Sequence, residues 1–208
     1  MRKSRGLRNN NPLNIRRGAS HWVGQCEVQT DKAFVQFTSM AYGYRAAWKV
    51  LSSYYRRFHT LEKRPFNVRN IISRWAPPGD HNNTQGYIGS VLLLIARMPT
   101  DNFIKNIDGV PETVSIGSEG GWENLMAPET TEGYLQLRKL LWAMTCIENG
   151  CSLREVSLMD IKQGYRLAFG RWPKRANSSA SPAISTLPQG GGSLSKRKER
   201  GGGVADAA

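Results

Sequence analysis

Cysteine and histidine are scarce in this chain of 208 residues, which contains three of each. The cysteines show no CxxC spacing and no neighbouring histidine pair, which argues against a disulfide framework and against a zinc site. Serine, histidine and aspartate follow no spacing typical of a catalytic triad. The segment "GSEGGW" (117–122) lacks the spacing and the following lysine of a phosphate-binding loop. We therefore expect no metal and no cofactor.

Long apolar runs are also missing. The longest, "YIGSVLLLIA" at 87–96, is about half of the roughly 20 residues that cross a bilayer, so we predict no membrane span. The N-terminal "MRKSRGLRNN" is basic but is not followed by the apolar stretch of a secretory signal peptide. The sequence thus predicts no signal peptide and a start in a cytoplasm.

Acidic residues are few, with 16 Asp and Glu against 29 Lys and Arg, and the net charge is +13. Residues 173–208 account for +4 of this charge and residues 1–172 for +9. Such a basic body attracts nucleic acid, anionic lipid or an anionic cell-wall polymer. No helix-turn-helix, ribonucleoprotein or zinc motif accompanies the charge, so the sequence does not favour a nucleic-acid partner.

The composition changes after Trp172. Residues 173–208 are rich in Ser, Gly, Ala and Pro and contain almost no large apolar side chain, so they cannot bury enough surface to fold. We predict a disordered basic tail at 173–208, in which "KRKER" (196–200) is a solvated patch, and one domain at 1–172.

Helical periodicity dominates that domain. Apolar residues recur at steps of three and four in 40–58, 65–78, 84–98 and 129–150. We place a helix start at Pro65, N-caps at Thr84 and Thr131, and a helix end at Gly150. Residues 31–39 alternate only briefly and predict a short strand or extended arm, whereas 99–131 are typical of a long irregular connection. The predicted fold class is mainly α.

Glu148 is the most unusual of the few acids. It lies four residues after Met144 and seven after Leu141, on the apolar side of the predicted helix 129–150. Burial and the negative end of the helix dipole both disfavour a charged carboxylate there, so its pKa should rise. A carboxyl group that stays protonated near neutral pH suits the general acid of glycosidic bond cleavage. Pairing with an arginine or capping of a neighbouring loop would be the structural alternative.

Several motifs occur in a familiar order: "RGLRNNNPLNIRR" (5–17), "QTDKAFVQF", "YGYRAAWKVL", "NIISRWAPP", "NNTQGYI" and, further on, "AMTCIENG" (143–150). Together they resemble phage and prophage virion structural or endolysin-like proteins related to lysozyme-like muramidases. A wider similarity extends to lytic transglycosylases and autolysin glucosaminidases. The resemblance implies a lysozyme-like helical domain that binds bacterial peptidoglycan, in a phage virion or in the host cytoplasm before release to the cell wall.

In those enzymes the general acid precedes the asparagine-rich segment that lines the sugar cleft, but here the first acid of the chain is Glu27. Either the order of elements is permuted, with Glu148 folding back beside residues 8–17, or the groove is kept without its catalyst. Asp31 and Asp80 are alternative catalytic carboxylates, Asp80 because relatives tend to carry a Glu in the same loop.

Amides and aromatic rings suit a glycan groove, because sugars offer hydroxyl groups to amides and apolar C–H faces to rings. The predicted substrate-binding residues are Asn10, Asn11, Asn14, Trp22, Gln36, Trp75, Asn83 and Tyr87. For the two tryptophans, packing in the core is the alternative.

Two functions remain open. One is cleavage of the β-1,4 bond between N-acetylmuramic acid and N-acetylglucosamine, of muramidase or lytic transglycosylase type. The other is a non-catalytic virion protein that holds cell-wall glycan or another virion protein.

Overall fold

A computed structural model describes residues 3–19, 21–98 and 122–173 of the chain. The described part is mainly helical, as predicted, and its extended pairing is limited to single β-bridges. The α-helices are α1 (Arg5–Arg8), α2 (Met40–Arg57), α3 (Val68–Trp75), α4 (Thr84–Ala96), α5 (Thr131–Asn149) and α6 (Leu158–Phe169). One π-helical turn, Phe58–Glu62, continues α2, and 3-10 turns occupy Pro78–Asp80 and Leu153–Glu155.

α3 begins three residues after the predicted start at Pro65, and the caps of α4 and α5 lie one residue before the predicted ones. Asn67, Asn83 and Thr130 cap α3, α4 and α5, since each side-chain oxygen accepts a hydrogen bond from the amide three residues on. Pro65 is therefore wrong as the start of α3, and Thr84 and Thr131 are wrong as N-caps, although α4 and α5 begin at these two residues. Propensity alone does not show which side chain caps the helix. Gly150 ends α5 in the left-handed conformation (φ 60°), as predicted.

The core forms where α2, α5 and α6 meet. Trp48 of α2 is fully buried between Tyr134, at 5.8 Å between ring centroids, and Tyr165, at 5.0 Å. Its indole nitrogen donates to the Ile161 carbonyl at 3.1 Å. The sequence pattern did not predict α6, which supplies the ring and the carbonyl that complete the setting of Trp48.

The N-terminal segment of residues 9–17 lies against this helical core. Arg16 pairs with Phe34 in an isolated antiparallel bridge, which confirms the extended arm predicted at 31–39. Gly43 of α2 allows the approach, because a Cβ there would lie 2.1 Å from the Asn10 carbonyl oxygen. Leu13 and Val35 are buried in the core.

Two predicted segments fall outside the described residues: most of the irregular connection at 99–131 and the tail beyond Pro173. Within the described ranges, no helix is both long and apolar enough to cross a membrane.

Candidate functional site

Glu148 lies in the last turn of α5, two residues before the glycine that ends the helix. Its carboxyl group is half-buried, and burial raises its pKa above the usual value. The direction agrees with the prediction from helical periodicity. In the described ranges no lysine or arginine forms an ion pair with it, so the structure does not support the alternative of an arginine partner.

Two neutral side chains hold the Glu148 carboxyl group. The Asn14 amide nitrogen donates to Oε2 at 2.8 Å, and the Tyr87 hydroxyl donates to Oε1 at 2.8 Å. Both hydrogen bonds favour the ionised form and so oppose the effect of burial on the pKa. The pKa of Tyr87 is itself raised well above its usual value, first by burial and then by the neighbouring Glu148. The phenol therefore stays protonated and keeps donating.

Asn14 is positioned by the fold of its own segment. Its φ of 50° is left-handed, a conformation that asparagine tolerates better than most residues. Nearby, the Asn149 amide donates to the Pro12 carbonyl at 2.8 Å and accepts from the Ser4 hydroxyl at 2.6 Å. The end of α5 is thus tied to the chain at two positions before Asn14, Ser4 and Pro12, across more than 130 residues of sequence.

A pocket of about 120 Å³ opens at Glu148. It brings together three of the predicted residues, Asn14, Trp75 and Asp80. The remaining lining residues are Leu13, Arg16, Phe34, Ala76 and Asn82. Asp80 is exposed at the end of a 3-10 turn, and Trp75 is partly buried against the core. The pocket therefore combines two carboxyl groups, two aromatic side chains, two amides and one guanidinium group.

Asp31 lies outside the lining of this pocket and performs a different task. Its carboxylate accepts hydrogen bonds from the Arg5 guanidinium at 2.6 and 2.7 Å and from the Asn9 amide at 2.7 Å. It also accepts from the backbone amides of Ala33 and Phe34. These contacts, with Arg5 first, hold the pKa of Asp31 well below its usual range. A carboxylate so occupied stabilises the 31–34 turn, so we do not retain Asp31 as a catalytic candidate.

Several predicted sugar ligands are used by the protein itself. Asn11 is fully buried, and its amide bonds the backbone of Ile15 and Val35, so it is not available to a sugar, contrary to the prediction. Gln36 closes the loop at Thr30 and Asp31 through its side-chain oxygen. In both residues the side-chain amide forms hydrogen bonds with the backbone. These contacts depend on the folded structure and cannot be identified from the sequence.

Three further predicted ligands lie away from the Glu148 carboxyl group. The Asn10 amide donates to the Phe37 carbonyl at 3.0 Å, and Asn83 caps α4 through its side-chain oxygen. Trp22 is half-buried and packs against the core from the loop before Gln25. None of the three belongs to the pocket lining, and their role as sugar ligands stays a prediction.

Comparison with known proteins shows that the chain is similar to a phage protein. It is 34% identical over 169 residues to Protein P5 of Pseudoalteromonas phage PM2, and the match covers 80% of this chain and 82% of that relative. The chain belongs to the family of this phage protein. No protein-family model matches the chain.

Several residues of the Glu148 site in the present chain were not predicted from its sequence. Arg16 and Phe34 line the pocket, and the Arg16 guanidinium lies 5.8 Å from the Phe34 ring centroid. Asn149 was treated only as part of a motif, although its amide joins α5 to the N-terminal segment. Two polar residues, Glu148 and Asn149, follow each other at the end of the helix. This pairing could have indicated that the helix end contacts another segment of the chain.

Proposed function

We propose that this phage protein cleaves the glycan strand of bacterial peptidoglycan, with Glu148 as the general acid. The observation that supports the proposal is the half-buried Glu148 carboxyl group with a raised pKa, held by Asn14 and Tyr87 at a pocket. The similarity of the sequence motifs to lysozyme-like muramidases and lytic transglycosylases supports the same assignment. The permuted order of elements is part of the proposal.

In the proposed reaction, protonated Glu148 donates its proton to the glycosidic oxygen as the bond to N-acetylmuramic acid breaks. Burial raises the pKa of the acid and so favours its protonated form, while the hydrogen bonds from Asn14 and Tyr87 stabilise the carboxylate that is left. Trp75, at the pocket wall, would stack against the sugar.

Asp80 decides between two outcomes of the reaction. If its carboxylate, which lines the same pocket, activates water, the product carries a new reducing end. If it does not, a hydroxyl group of the muramic acid attacks the same carbon and gives an anhydro product. An Asp80→Asn variant that still releases anhydro product would assign the second route.

A zymogram on purified cell walls tests the role of Glu148. We expect wild-type protein to clear the gel and Glu148→Gln to lose at least about a hundredfold in activity, the usual contribution of a general acid. Glu123→Gln is the matched control, because Glu123 is exposed and lies outside the pocket. Equal clearing by Glu148→Gln and wild type would remove Glu148 from the mechanism.

One observation favours a second function, a non-catalytic virion protein that holds cell-wall glycan. The pocket volume of about 120 Å³ is below the roughly 300–1,000 Å³ of typical small-molecule sites. This candidate predicts that the protein co-sediments with peptidoglycan without releasing reducing ends or anhydro products. Release of either product by wild-type protein, lost in Glu148→Gln, rules it out.

A further inference from the structure

A second cleft, of about 420 Å³, is lined by residues that directly precede and follow Trp75 and Ala76 of the Glu148 pocket. We call it the arginine cleft and define it by its lining residues, Tyr54, Arg64, Ser73, Arg74 and Pro77. Residues 73–77 thus contribute to both cavities, which makes the two clefts neighbours along one short stretch of chain.

The two guanidinium groups of the arginine cleft are held in place by aromatic rings. Arg64 stacks over Phe58 with 4.0 Å from its guanidinium carbon to the ring centroid, and Arg74 lies over Tyr54 at 5.2 Å. Stacked guanidinium groups lose little conformational entropy when they bind a ligand, because they are already ordered. The cleft is therefore preorganised for an anion.

Glu62 neutralises only part of this positive charge. Its carboxylate pairs with Arg57, with Arg64 at 2.7 Å and with Arg74 at 3.3 Å, so three cations share one anion. Arg57 first, and then the other two arginines, hold the pKa of Glu62 below its usual value, and the cluster keeps a net charge of +2. The side chains of Arg64 and Arg74 are each 34% exposed and reachable from solvent.

Several hydrogen-bond donors of the cleft have no protein acceptor within the described part of the chain. Arg64 forms its ion pair with Glu62 through Nε at 2.7 Å, but Nε is buried and forms no hydrogen bond, and the two terminal nitrogens also have no acceptor there. The Ser73 hydroxyl, on the same wall, also forms no hydrogen bond there. A forked guanidinium and a hydroxyl group match the two oxygens of a carboxylate.

We propose that the arginine cleft binds carboxylate groups of the peptidoglycan stem peptide. The inference rests on the proposed function, because the stem peptide branches from the muramic acid that the Glu148 pocket would hold. The adjacent residues Arg74 and Trp75 line the two different cavities, and their Cα atoms are about 3.8 Å apart. An extended peptide advances about 3.5 Å per residue, so a stem of a few residues matches this spacing. The cleft thereby favours peptide-bearing glycan over bare glycan.

Calorimetric titration with a free stem peptide, L-Ala-γ-D-Glu-diaminopimelate-D-Ala, tests the cleft without any cleavage. We expect Arg64→Gln/Arg74→Gln to bind at least about tenfold more weakly than wild type, from the loss of charged hydrogen bonds. Arg69→Gln, which removes one positive charge from an exposed position of α3, should bind like wild type. The peptide with amidated carboxyl groups should not bind to wild-type protein.

Ser73→Glu covers the case in which the double variant does not fold, because it leaves every arginine and the Glu62 ion pairs in place. The new carboxylate repels the peptide, and we expect binding to be lost. Unchanged binding in Ser73→Glu or in a folded double variant overturns the proposal. So does tighter binding of a short DNA duplex than of the peptide at equal salt, which would assign the cleft to phosphate groups.

The outcomes separate this inference from the proposed function. Peptide binding that depends on Arg64 and Arg74, in a protein that does not clear cell walls, keeps the cleft and removes catalysis. Clearing that depends on Glu148, in a protein that does not bind the peptide, keeps catalysis and removes the cleft.

Discussion

Two carboxyl groups show how strongly local surroundings separate residues of the same chemistry. Glu148 has neutral partners and its pKa is raised by burial, whereas Asp31 meets Arg5 and backbone amides and its pKa is lowered. The first can keep a proton at a pH at which the second is always ionised. Of the two, Glu148 is therefore the one suited to donate a proton.

The raised pKa of Glu148 should make the stability of the folded protein depend on pH, and this effect can be measured without any assay of activity. A carboxyl group whose pKa is higher in the folded protein contributes stability below its unfolded pKa, about 4.3, and this contribution is lost as the pH rises through the folded pKa. Glu148→Gln removes the ionisation, so its melting temperature should exceed that of wild type near pH 7 to 8. The difference should shrink towards pH 4.

Calorimetric melting across this pH range measures the effect. Glu123→Gln is again the control, and its difference from wild type should not follow the same pH trend. A Glu148→Gln variant less stable than wild type at pH 8 would mean that Asn14 and Tyr87 outweigh burial.

At the scale of elements, the site depends on how closely the N-terminal segment approaches two helices. Gly6 lies in α1, directly before this segment, and faces α5, where a Cβ would lie 2.5 Å from the Asn149 side-chain oxygen. Gly43 faces the same segment from α2, where a Cβ would meet the Asn10 carbonyl oxygen and the Pro12 ring. Both glycines allow the close packing that brings Asn14 to Glu148.

Gly43→Ala should therefore destabilise the protein although alanine favours helices. Overpacking against backbone costs about 1–3 kcal/mol, which exceeds the gain of up to about 1 kcal/mol in helix propensity. Urea unfolding should show a net loss of about 1–2 kcal/mol.

Gly89→Ala is the matched control, because Gly89 is exposed in α4 and a Cβ there would meet nothing within 4 Å beyond its chain neighbours and the nearby backbone of its own helix. It should stabilise the protein by up to about 1 kcal/mol. If both variants are stabilised, the N-terminal segment moves to make room for the added methyl group, and its close approach to α2 is not required.

For the whole molecule, the net charge of +13 should strengthen its binding to an anionic surface such as a cell wall. Charges on the surface act over about 10 Å at 0.1 M salt and about 3 Å at 1 M. Co-sedimentation with purified cell walls should therefore fall severalfold between about 0.05 and 0.5 M NaCl. Binding to chitin, an uncharged glycan, should change little, and a salt-independent cell-wall interaction would show that charge does not govern adsorption.

Sequence patterns alone were enough to predict the helical class, four helices with ends within a few residues, and the burial of Glu148. These features depend on periodicity and on local chemistry such as the Gly150 turn, which short stretches of chain specify without help from the rest. The residue types also made Asn14, Trp75 and Tyr87 candidate sugar ligands, and the family resemblance made Asp80 a candidate carboxylate, without their relative positions.

Which of these side chains meet depends on tertiary packing. Asn14 and Glu148 are 134 residues apart in sequence, yet their side chains are joined by a hydrogen bond of 2.8 Å, and that contact depends on the packing allowed by Gly6 and Gly43. The same packing removed Asn11 from the candidate ligands, because a fully buried amide bonds the backbone around it. Long-range contacts of this kind result from the sum of many buried surfaces, which no single segment encodes.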